Sequence, residues 1–257
     1  MSSLFEWLSV GTMLNMSMIP NKAGKILVFG ASSGIGNAVL FELDHNRYDV
    51  VAISRSKDYP SPPHINKLSL DLASSESSIS RTLDKATSPS VLAGLVYCPA
   101  NPFPLQDITT YTQQDILDSI LLSTASLHSV LKWFCKYASL HKSSEMPSIL
   151  VLSSKSASSI SKYSGFLYSH SKASQLSLSR HYAKYLAEKK LANLNIVTPD
   201  LVETPLSKKV LGDKTLSSQI TIEPSRVAKV IAMLLQSKDL ELHSSTITIN
   251  NHGNISF

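Results

Sequence analysis

Short apolar runs alternate with longer helical stretches from Lys25 onward. The apolar runs are rich in leucine or β-branched residues and predict seven strands, at residues 26–29, 50–54, 67–70, 95–98, 149–152, 193–197 and 246–249. The segments between them predict helices at about residues 34–46, 75–86, 113–139, 167–189 and 224–236. This alternation predicts an α/β protein, a single-domain Rossmann fold built on a doubly wound parallel sheet of about seven strands.

The chain has 257 residues, of which 43% are hydrophobic and 17% charged, so it can bury a substantial core. We assign residues 25–257 to the Rossmann-type domain and residues 1–24 to an N-terminal extension. The apolar run at 8–18 has no basic residue before it and is too short to span a bilayer, so neither a signal peptide nor a membrane anchor is predicted. Residues 203–222 are rich in turn-forming residues and are predicted to form a long loop that covers a ligand site, with a short helix within it as an alternative.

The formal charge is +5, but the basic residues are scattered, so nucleic-acid binding is not predicted. A basic surface instead favours a phosphate-bearing ligand. Only Cys98 and Cys135 are present, which makes a disulfide framework unnecessary and favours a reducing, cytoplasmic setting. None of the eight histidines and two cysteines falls in a metal-ligand spacing, and no metal is predicted.

Three glycines follow the first predicted strand in the pattern Gly30-x-x-x-Gly34-x-Gly36 and lead directly into a helix. Glycines allow a tight turn and a close approach of backbone to a pyrophosphate, and the helix N-terminus offers unpaired N–H groups. The alternative is an ordinary glycine-containing turn. The residues predicted to cradle a dinucleotide here are Gly30, Ser32, Ser33, Gly34, Ile35 and Gly36.

In this turn the chain resembles the short-chain dehydrogenase/reductase family, whose turn often reads Gly-Ala-Ser-Ser-Gly-Ile-Gly, as at residues 30–36. The resemblance extends from about residue 25 to 253. It implies that Asp71, followed by Leu72, lies near the adenine of a nicotinamide cofactor, and that Pro99 and Ala100 lie beside the adenosine ribose.

The second strand is followed by Arg55, where an enzyme that selects NAD has an acidic residue. A guanidinium suits a 2′-phosphate, so Arg55 favours NADP(H) over NAD(H), with Ser33 and Ser54 as lesser contacts. An exposed arginine on a turn is the alternative.

Tyr168 and Lys172 are four residues apart in a predicted helix and therefore lie on one face. We expect the ammonium to favour the ionised phenol and so lower its pKa. The resemblance implies that Tyr168 transfers the substrate proton, that Lys172 also holds the nicotinamide ribose, and that Ser154 hydrogen-bonds the reacting oxygen. Ser153 and Ser156 remain alternatives for that serine, and His170 is interpreted as structural or exposed.

The sixth strand ends in a segment that resembles the family's Pro-Gly-x-x-x-Thr sequence. The resemblance implies that Pro199, Val202 and Thr204 contact the nicotinamide, with the Thr204 side chain and the Val202 backbone on its carboxamide. A generic loop would explain these residues as well.

The chain departs from the family in three places. Tyr97-Cys98-Pro99-Ala100 replaces Asn-Asn-Ala-Gly, Asp200 replaces a glycine, and Ile120 stands where the family has a catalytic asparagine that supports a proton relay. That relay is then lost, rerouted through Ser119 or Ser123, or unnecessary.

These features predict an NADP(H)-dependent oxidoreductase that reduces a ketone or aldehyde of a small organic molecule. The alternatives are a catalytically reduced, cofactor-binding regulatory protein and a non-hydride isomerase or dehydratase. The substrate pocket is expected to be built from Phe103, Tyr163, Phe166 and residues 205–222, and to favour apolar substrates. The resemblance implies a homodimer or homotetramer.

Overall fold

The structure is a computed structural model that describes residues 22–63, 65–88, 90–143, 145–160, 165–236, 244–252 and 254–256. Its sheet contains β1 (Gly24–Phe29), β2 (Tyr48–Ser54), β3 (Asn66–Ser69), β4 (Leu92–Tyr97), β5 (Ser148–Leu152), β6 (Asn193–Pro199), β7 (Thr246–Ile249) and β8 (Ile255–Ser256). The strand order is β3-β2-β1-β4-β5-β6-β7-β8. All neighbouring pairs are parallel except β7 and β8.

Eight α-helices connect or flank the strands in the described part of the chain. They are α1 (Gly34–Glu42), α2 (Glu76–Thr87), α3 (Gln113–Ile120), α4 (Ser126–Leu140), α5 (Phe166–Glu188), α6 (Pro205–Leu211), α7 (Asp213–Ser217) and α8 (Pro224–Gln236). A π-helical segment, Leu121–Ala125, joins α3 to α4. None of the described helices is both long enough and apolar enough to cross a membrane.

The predicted fold class is confirmed, with differences in detail. The extra strand, β8, has two residues, which is too short to show a period in the sequence. The helix predicted at 113–139 is divided by the π-helical segment. Residues 203–222 contain two short helices, α6 and α7, where the prediction allowed one within a long loop. Thr204 caps α6 and Pro205 starts it. Most of the predicted extension, residues 1–21, lies outside the described residues.

Two apolar layers cover the two faces of the sheet, and β1 shows how the sequence builds both. Ile26 and Val28 belong to the layer beneath α1 and α8, whereas Leu27 and Phe29 belong to the layer beneath α2, α4 and α5. Successive side chains of a strand point to opposite faces, so a strand buried on both sides is apolar throughout. This explains why the strands appear as unbroken apolar runs in the sequence.

Tyr97, at the end of β4, reaches from the sheet to the π-helical segment. Its side chain is fully buried and its hydroxyl donates to the carbonyl oxygen of Leu122 at 2.7 Å. Burial raises the pKa of Tyr97 far above its ordinary value, so the hydroxyl remains a donor. This hydrogen bond connects the π-helical segment between α3 and α4 to β4 at the centre of the sheet.

We expect Tyr97→Phe to lower the free energy of unfolding by about 1 kcal/mol, because it removes a buried hydrogen bond and leaves the Leu122 carbonyl with one partner fewer. Denaturant titration followed by circular dichroism measures the change. Tyr111→Phe is the matched control, since the Tyr111 hydroxyl bonds the Pro104 carbonyl at an exposed site and its loss should cost less than about 0.5 kcal/mol. Equal losses in the two variants would contradict the assignment.

Candidate active site and cofactor cleft

A cavity of about 920 Å³ opens at the carboxyl ends of the parallel strands. It spans the point between β1 and β4 where the strand order reverses, which is where open α/β sheets bind ligands. One end is bounded by the glycine turn and the end of β2, and the other by β5, the start of α5 and the helices α6 and α7.

Nearly all of the residues predicted to bind a cofactor line this cavity. They are Gly30, Ser32, Ser33, Gly34, Ile35, Ser54, Arg55, Asp71, Leu72, Pro99, Ala100, Tyr168, Lys172, Pro199, Val202 and Thr204. Gly36 does not line it. The contact predicted for Gly36 stays a prediction, and the structure shows a packing role for this residue, since a Cβ at this position would overlap the Gly30 carbonyl oxygen.

The glycine turn leaves the start of α1 available to an anion. Gly34 has a φ of 56°, a conformation that glycine adopts without strain. Ser33 is the N-cap residue, yet its side chain makes no capping hydrogen bond, and the first turn of α1 has no acidic residue. Unpaired N–H groups and the positive end of the helix dipole thus remain, and they fit a pyrophosphate.

Arg55 directly follows β2 and lines the same end of the cavity as the glycine turn. It is exposed, and among the described residues its guanidinium makes no ion pair. The Ser69 hydroxyl donates to its backbone carbonyl at 2.9 Å, which fixes the turn after β2. Ser54 is less available, because its hydroxyl donates to the Ser56 carbonyl. A cation without a protein partner at this position fits a phosphate group.

The segment after β6 is held by its own hydrogen bonds. Thr204 caps α6, with its hydroxyl oxygen accepting from the Ser207 amide at 3.2 Å. The Val202 carbonyl accepts from the Ser207 hydroxyl at 2.8 Å. Thr204 and Val202 therefore line the cavity as parts of a rigid turn.

The three residues predicted to be catalytic meet at the opposite end of the cavity. Tyr168 lies in the first turn of α5, Lys172 one turn further along, and the Ser154 side chain is hydrogen-bonded to Tyr168. Ser153 points elsewhere, since its hydroxyl donates to the Lys172 backbone carbonyl at 3.2 Å. The Ser156 amide donates to the Ser154 hydroxyl oxygen at 3.2 Å, which helps to orient Ser154.

Burial dominates the ionisation of the tyrosine and the lysine. It raises the pKa of Tyr168, an effect that the Ser154 hydrogen bond partly offsets. It lowers the pKa of Lys172 to about 8. The expectation of a lowered Tyr168 pKa is therefore wrong for this structure, because loss of solvent around the phenol raises the pKa and only the Ser154 hydrogen bond acts against it.

Gln175 is a site residue that the sequence analysis missed. Lys172 is 2% exposed, and its Nζ donates to the Leu152 carbonyl at 2.9 Å and to Gln175 Oε1 at 3.0 Å. The only signal in the sequence was the spacing of three between Lys172 and Gln175, which places both on one helix face. The relay suggested through Ser119 has no direct bond to the lysine, since the Ser119 hydroxyl meets His170 Nδ1 at 3.0 Å.

Ser123, the other residue suggested for that relay, donates its hydroxyl to the Ser119 carbonyl at 2.9 Å. His170 is half-buried and contacts Ser119, in keeping with its structural interpretation. Neither serine is hydrogen-bonded to the Lys172 ammonium.

The departures from the family pattern also have structural partners. Asp200 forms an ion pair with Lys155 at 3.0 Å, and both line the cavity. Cys98 is buried near Lys172, and burial raises the pKa of its thiol to about 12. Within the described part of the chain, no group of three histidine, cysteine or acidic residues could hold a metal ion.

The substrate side of the cavity agrees with the prediction for residues 205–222 and differs from it for the aromatic residues. It is lined by Leu206, Val210, Leu211 and Ile220, which belong to α6 or lie beyond α7. Phe103 and Phe166 do not line it, and the Phe166 ring instead packs 5.5 Å from that of Tyr111. Tyr163 lies outside the described residues.

A family model for the short chain dehydrogenases matches residues 24–215, about three quarters of the chain. The chain belongs to the short-chain dehydrogenase family. It is thus a member of a family of oxidoreductases whose fold binds a nicotinamide cofactor. A search of curated proteins returns no match.

Solved structures of this family have the same fold. Pseudomonas aeruginosa RhlG in its NADP active-site complex aligns with a TM-score of 0.77 at 19% identity, covering 91% of this chain and 97% of that one. ElxO with NADP bound gives 0.73 at 21% identity, covering 88% and 97%. Aldohexose dehydrogenase from Thermoplasma acidophilum, in ligand-free form, gives 0.74 at 20% identity, covering 90% and 93%.

We expect Gly36→Ala to weaken dinucleotide binding and to lower the free energy of unfolding by about 1–3 kcal/mol, because the new Cβ forces α1 away from the Gly30 carbonyl. Tryptophan fluorescence quenching and denaturant titration measure the two effects. Gly212→Ala is the control for affinity: its Cβ would meet open space outside the cavity lining, so dinucleotide affinity should not change, although the φ of 75° strains alanine and lowers stability. Full affinity in Gly36→Ala would contradict the packing role.

Proposed function

We propose that this protein is an NADP(H)-dependent reductase of ketones or aldehydes in small, largely apolar molecules. The observation that carries the proposal is the convergence of Tyr168, Ser154 and Lys172 at one end of a cavity whose other end is the glycine turn. A dinucleotide bound along this cavity would place its nicotinamide beside the tyrosine.

The preference for NADP(H) rests on Arg55. Its guanidinium is exposed, lines the cavity and has no ion-pair partner among the described residues. A 2′-phosphate offers it paired, charge-assisted hydrogen bonds, whereas NAD(H) offers only ribose hydroxyls. The structures of RhlG and ElxO, which contain NADP, support this choice by likeness of fold.

The chemistry assigns one task to each side chain. When bound, the cofactor supplies the hydride that reduces the carbonyl carbon. Ser154 donates a hydrogen bond to the carbonyl oxygen and Tyr168 transfers its phenolic proton to the same oxygen, so an alcohol is formed. Lys172 holds the cofactor ribose with the one ammonium N–H that is not bonded to the protein.

The protonation state of Tyr168 fits the role of proton donor. Proton donation to a developing alkoxide needs the neutral phenol. A phenol with its ordinary pKa is neutral at pH 7, and burial raises the pKa of Tyr168 further. The phenol therefore carries the proton that carbonyl reduction requires.

The apolar substrate class rests on the covering helices. Leu206, Val210 and Leu211 are half-buried and Ile220 is 62% exposed, and all four face the cavity beyond the catalytic residues. A substrate with a hydrocarbon portion next to its carbonyl would bury these side chains when it binds.

We expect Arg55→Ala to weaken NADPH binding about 10- to 100-fold, because it removes charge-assisted hydrogen bonds to the 2′-phosphate, and to leave NADH binding unchanged. Isothermal titration calorimetry gives both dissociation constants. Lys57→Ala removes the same charge from an exposed position outside the cavity, so it controls for the general electrostatic effect. An equal loss for both cofactors in Arg55→Ala would rule out a 2′-phosphate contact.

We expect Tyr168→Phe to lower kcat for carbonyl reduction by about 10²- to 10⁴-fold, because the proton donor is gone, with NADPH affinity retained. The assay follows NADPH absorbance over a panel of ketones and aldehydes. Tyr185→Phe, an exposed position on the same helix, is the control. Full turnover by Tyr168→Phe would refute the assignment, and a wild-type protein that binds NADPH but reduces no member of the panel would favour the cofactor-binding alternative.

A further inference from the structure

The ammonium of Lys172 is held on two sides before any ligand is considered. It donates to the Leu152 carbonyl, at the end of β5, and to Gln175 Oε1, on its own helix. A lysine ammonium has three N–H donors, so these two contacts leave one for the cavity that Lys172 lines. The direction of that remaining N–H is set by the two acceptors.

Gln175 is unusual as a buried residue. It is 0% exposed, and among the described residues its Nε2 has no hydrogen-bond partner. Because an ammonium only donates, the amide oxygen must face Lys172 and the amide nitrogen must point away from it. An apolar side chain of the same size would avoid the cost of an unpaired buried N–H group, so the fold itself gains little from the amide.

We propose that Gln175 is a positioning residue that holds the Lys172 ammonium in its charged form and aims its third N–H into the cavity. Gln175 acts together with the Leu152 carbonyl, so that α5 supplies one acceptor and β5 supplies the other. The Lys172 ammonium is thereby held between the helix and the sheet. The effect on turnover rests on the proposed function, whereas the effect on Lys172 does not.

The Lys172 ammonium needs hydrogen-bond acceptors because it is buried. Burial lowers the pKa of Lys172 to about 8, and the Cys98 thiol that follows β4 stays neutral in that pH range. Tyr168 lies on the same face of α5, and Asp118 and the Lys155–Asp200 pair line the same cavity. Without the Gln175 oxygen the charged form loses one of its two hydrogen bonds, so its pKa falls further.

Two substitutions at residue 175 should move the titration of Lys172 in opposite directions. Gln175→Met keeps the size and removes the acceptor, so the pKa of Lys172 should fall by about one unit. Gln175→Glu places a carboxylate at the acceptor position, so the pKa should rise. NMR of ¹³C-labelled lysine follows the titration, and the Lys172 signal is the one missing from Lys172→Met.

Ser179→Ala is the matched control. Ser179 is buried one turn further along the same face and its hydroxyl donates to the Gln175 backbone carbonyl, not to the lysine. It should change the free energy of unfolding without moving the titration of Lys172. Relative to the wild type, Gln175→Met should be less stable at pH 6 than at pH 9, because the lysine that loses its acceptor is charged only at the lower pH. If Gln175→Glu does not fold, Gln175→Met decides alone.

A second readout is the pH dependence of NADPH binding between pH 6 and 9. The affinity of Gln175→Met should begin to fall about one pH unit earlier than that of the wild type, because the ammonium loses its proton at lower pH. An unchanged Lys172 titration in Gln175→Met overturns the proposal. A shifted titration with unchanged NADPH binding overturns its cofactor part. If no carbonyl is reduced by the wild type, the proposed function fails while the lysine titration still decides the role of Gln175.

Discussion

The parallel pairing of the first seven strands forces their carboxyl ends onto one edge of the sheet, and the cavity depends on that constraint. Each helix returns the chain to the opposite edge, so residues far apart in sequence end up side by side. Gly30, Arg55, Ser154 and Pro199 each follow or end a different strand and line the same cavity. The reversal of strand order between β1 and β4 supplies the opening that they surround.

Loss of solvent at this edge acts on two neighbouring ionisable groups in opposite directions. It raises the pKa of Tyr168 and lowers that of Lys172, so each is pushed toward its neutral form. A neutral phenol can donate a proton, whereas a neutral amine has only two N–H donors, and the two protein acceptors of Lys172 already use both. The protein surrounds the lysine with two acceptors, the Leu152 carbonyl and the Gln175 amide oxygen. Among the described residues, the Ser154 hydroxyl is the hydrogen-bond partner of the tyrosine.

The departures from the family pattern form compensated pairs. Asp200 adds a carboxylate at the end of β6, and Lys155 after β5 neutralises it. Tyr97 replaces an asparagine at the end of β4, and its hydroxyl bonds the Leu122 carbonyl in the π-helical segment that begins directly after Ile120. Between β4 and α3 a buried aromatic ring thus takes the place of a polar side chain of the family. The side chain that accepts a hydrogen bond from Lys172 comes from α5.

The alternating pattern and the glycine turn were sufficient to predict the fold class and most elements. Periodicity identifies long buried strands and helices well, because each period repeats several times. It missed the two-residue β8 and the π-helical break after Ile120, and it allowed one short helix without bounds where α6 and α7 form, because these elements are too short or too irregular to repeat. The expected homo-oligomer, small-molecule substrate and cytoplasmic location stay predictions.

For the site, the sequence by itself determined which residue types were available and which ones shared a helix face. Helix geometry alone places Tyr168 and Lys172 on one face, and the local turn brings Gly30 to Gly36 together. Only the tertiary structure decided that Ser153 bonds the helix backbone whereas Ser154 meets the tyrosine, and that the Gln175 amide faces Lys172. The physical reason is that burial, which sets both the hydrogen-bond partners and the pKa shifts, depends on packing between β5 and α5, and no local pattern encodes that packing.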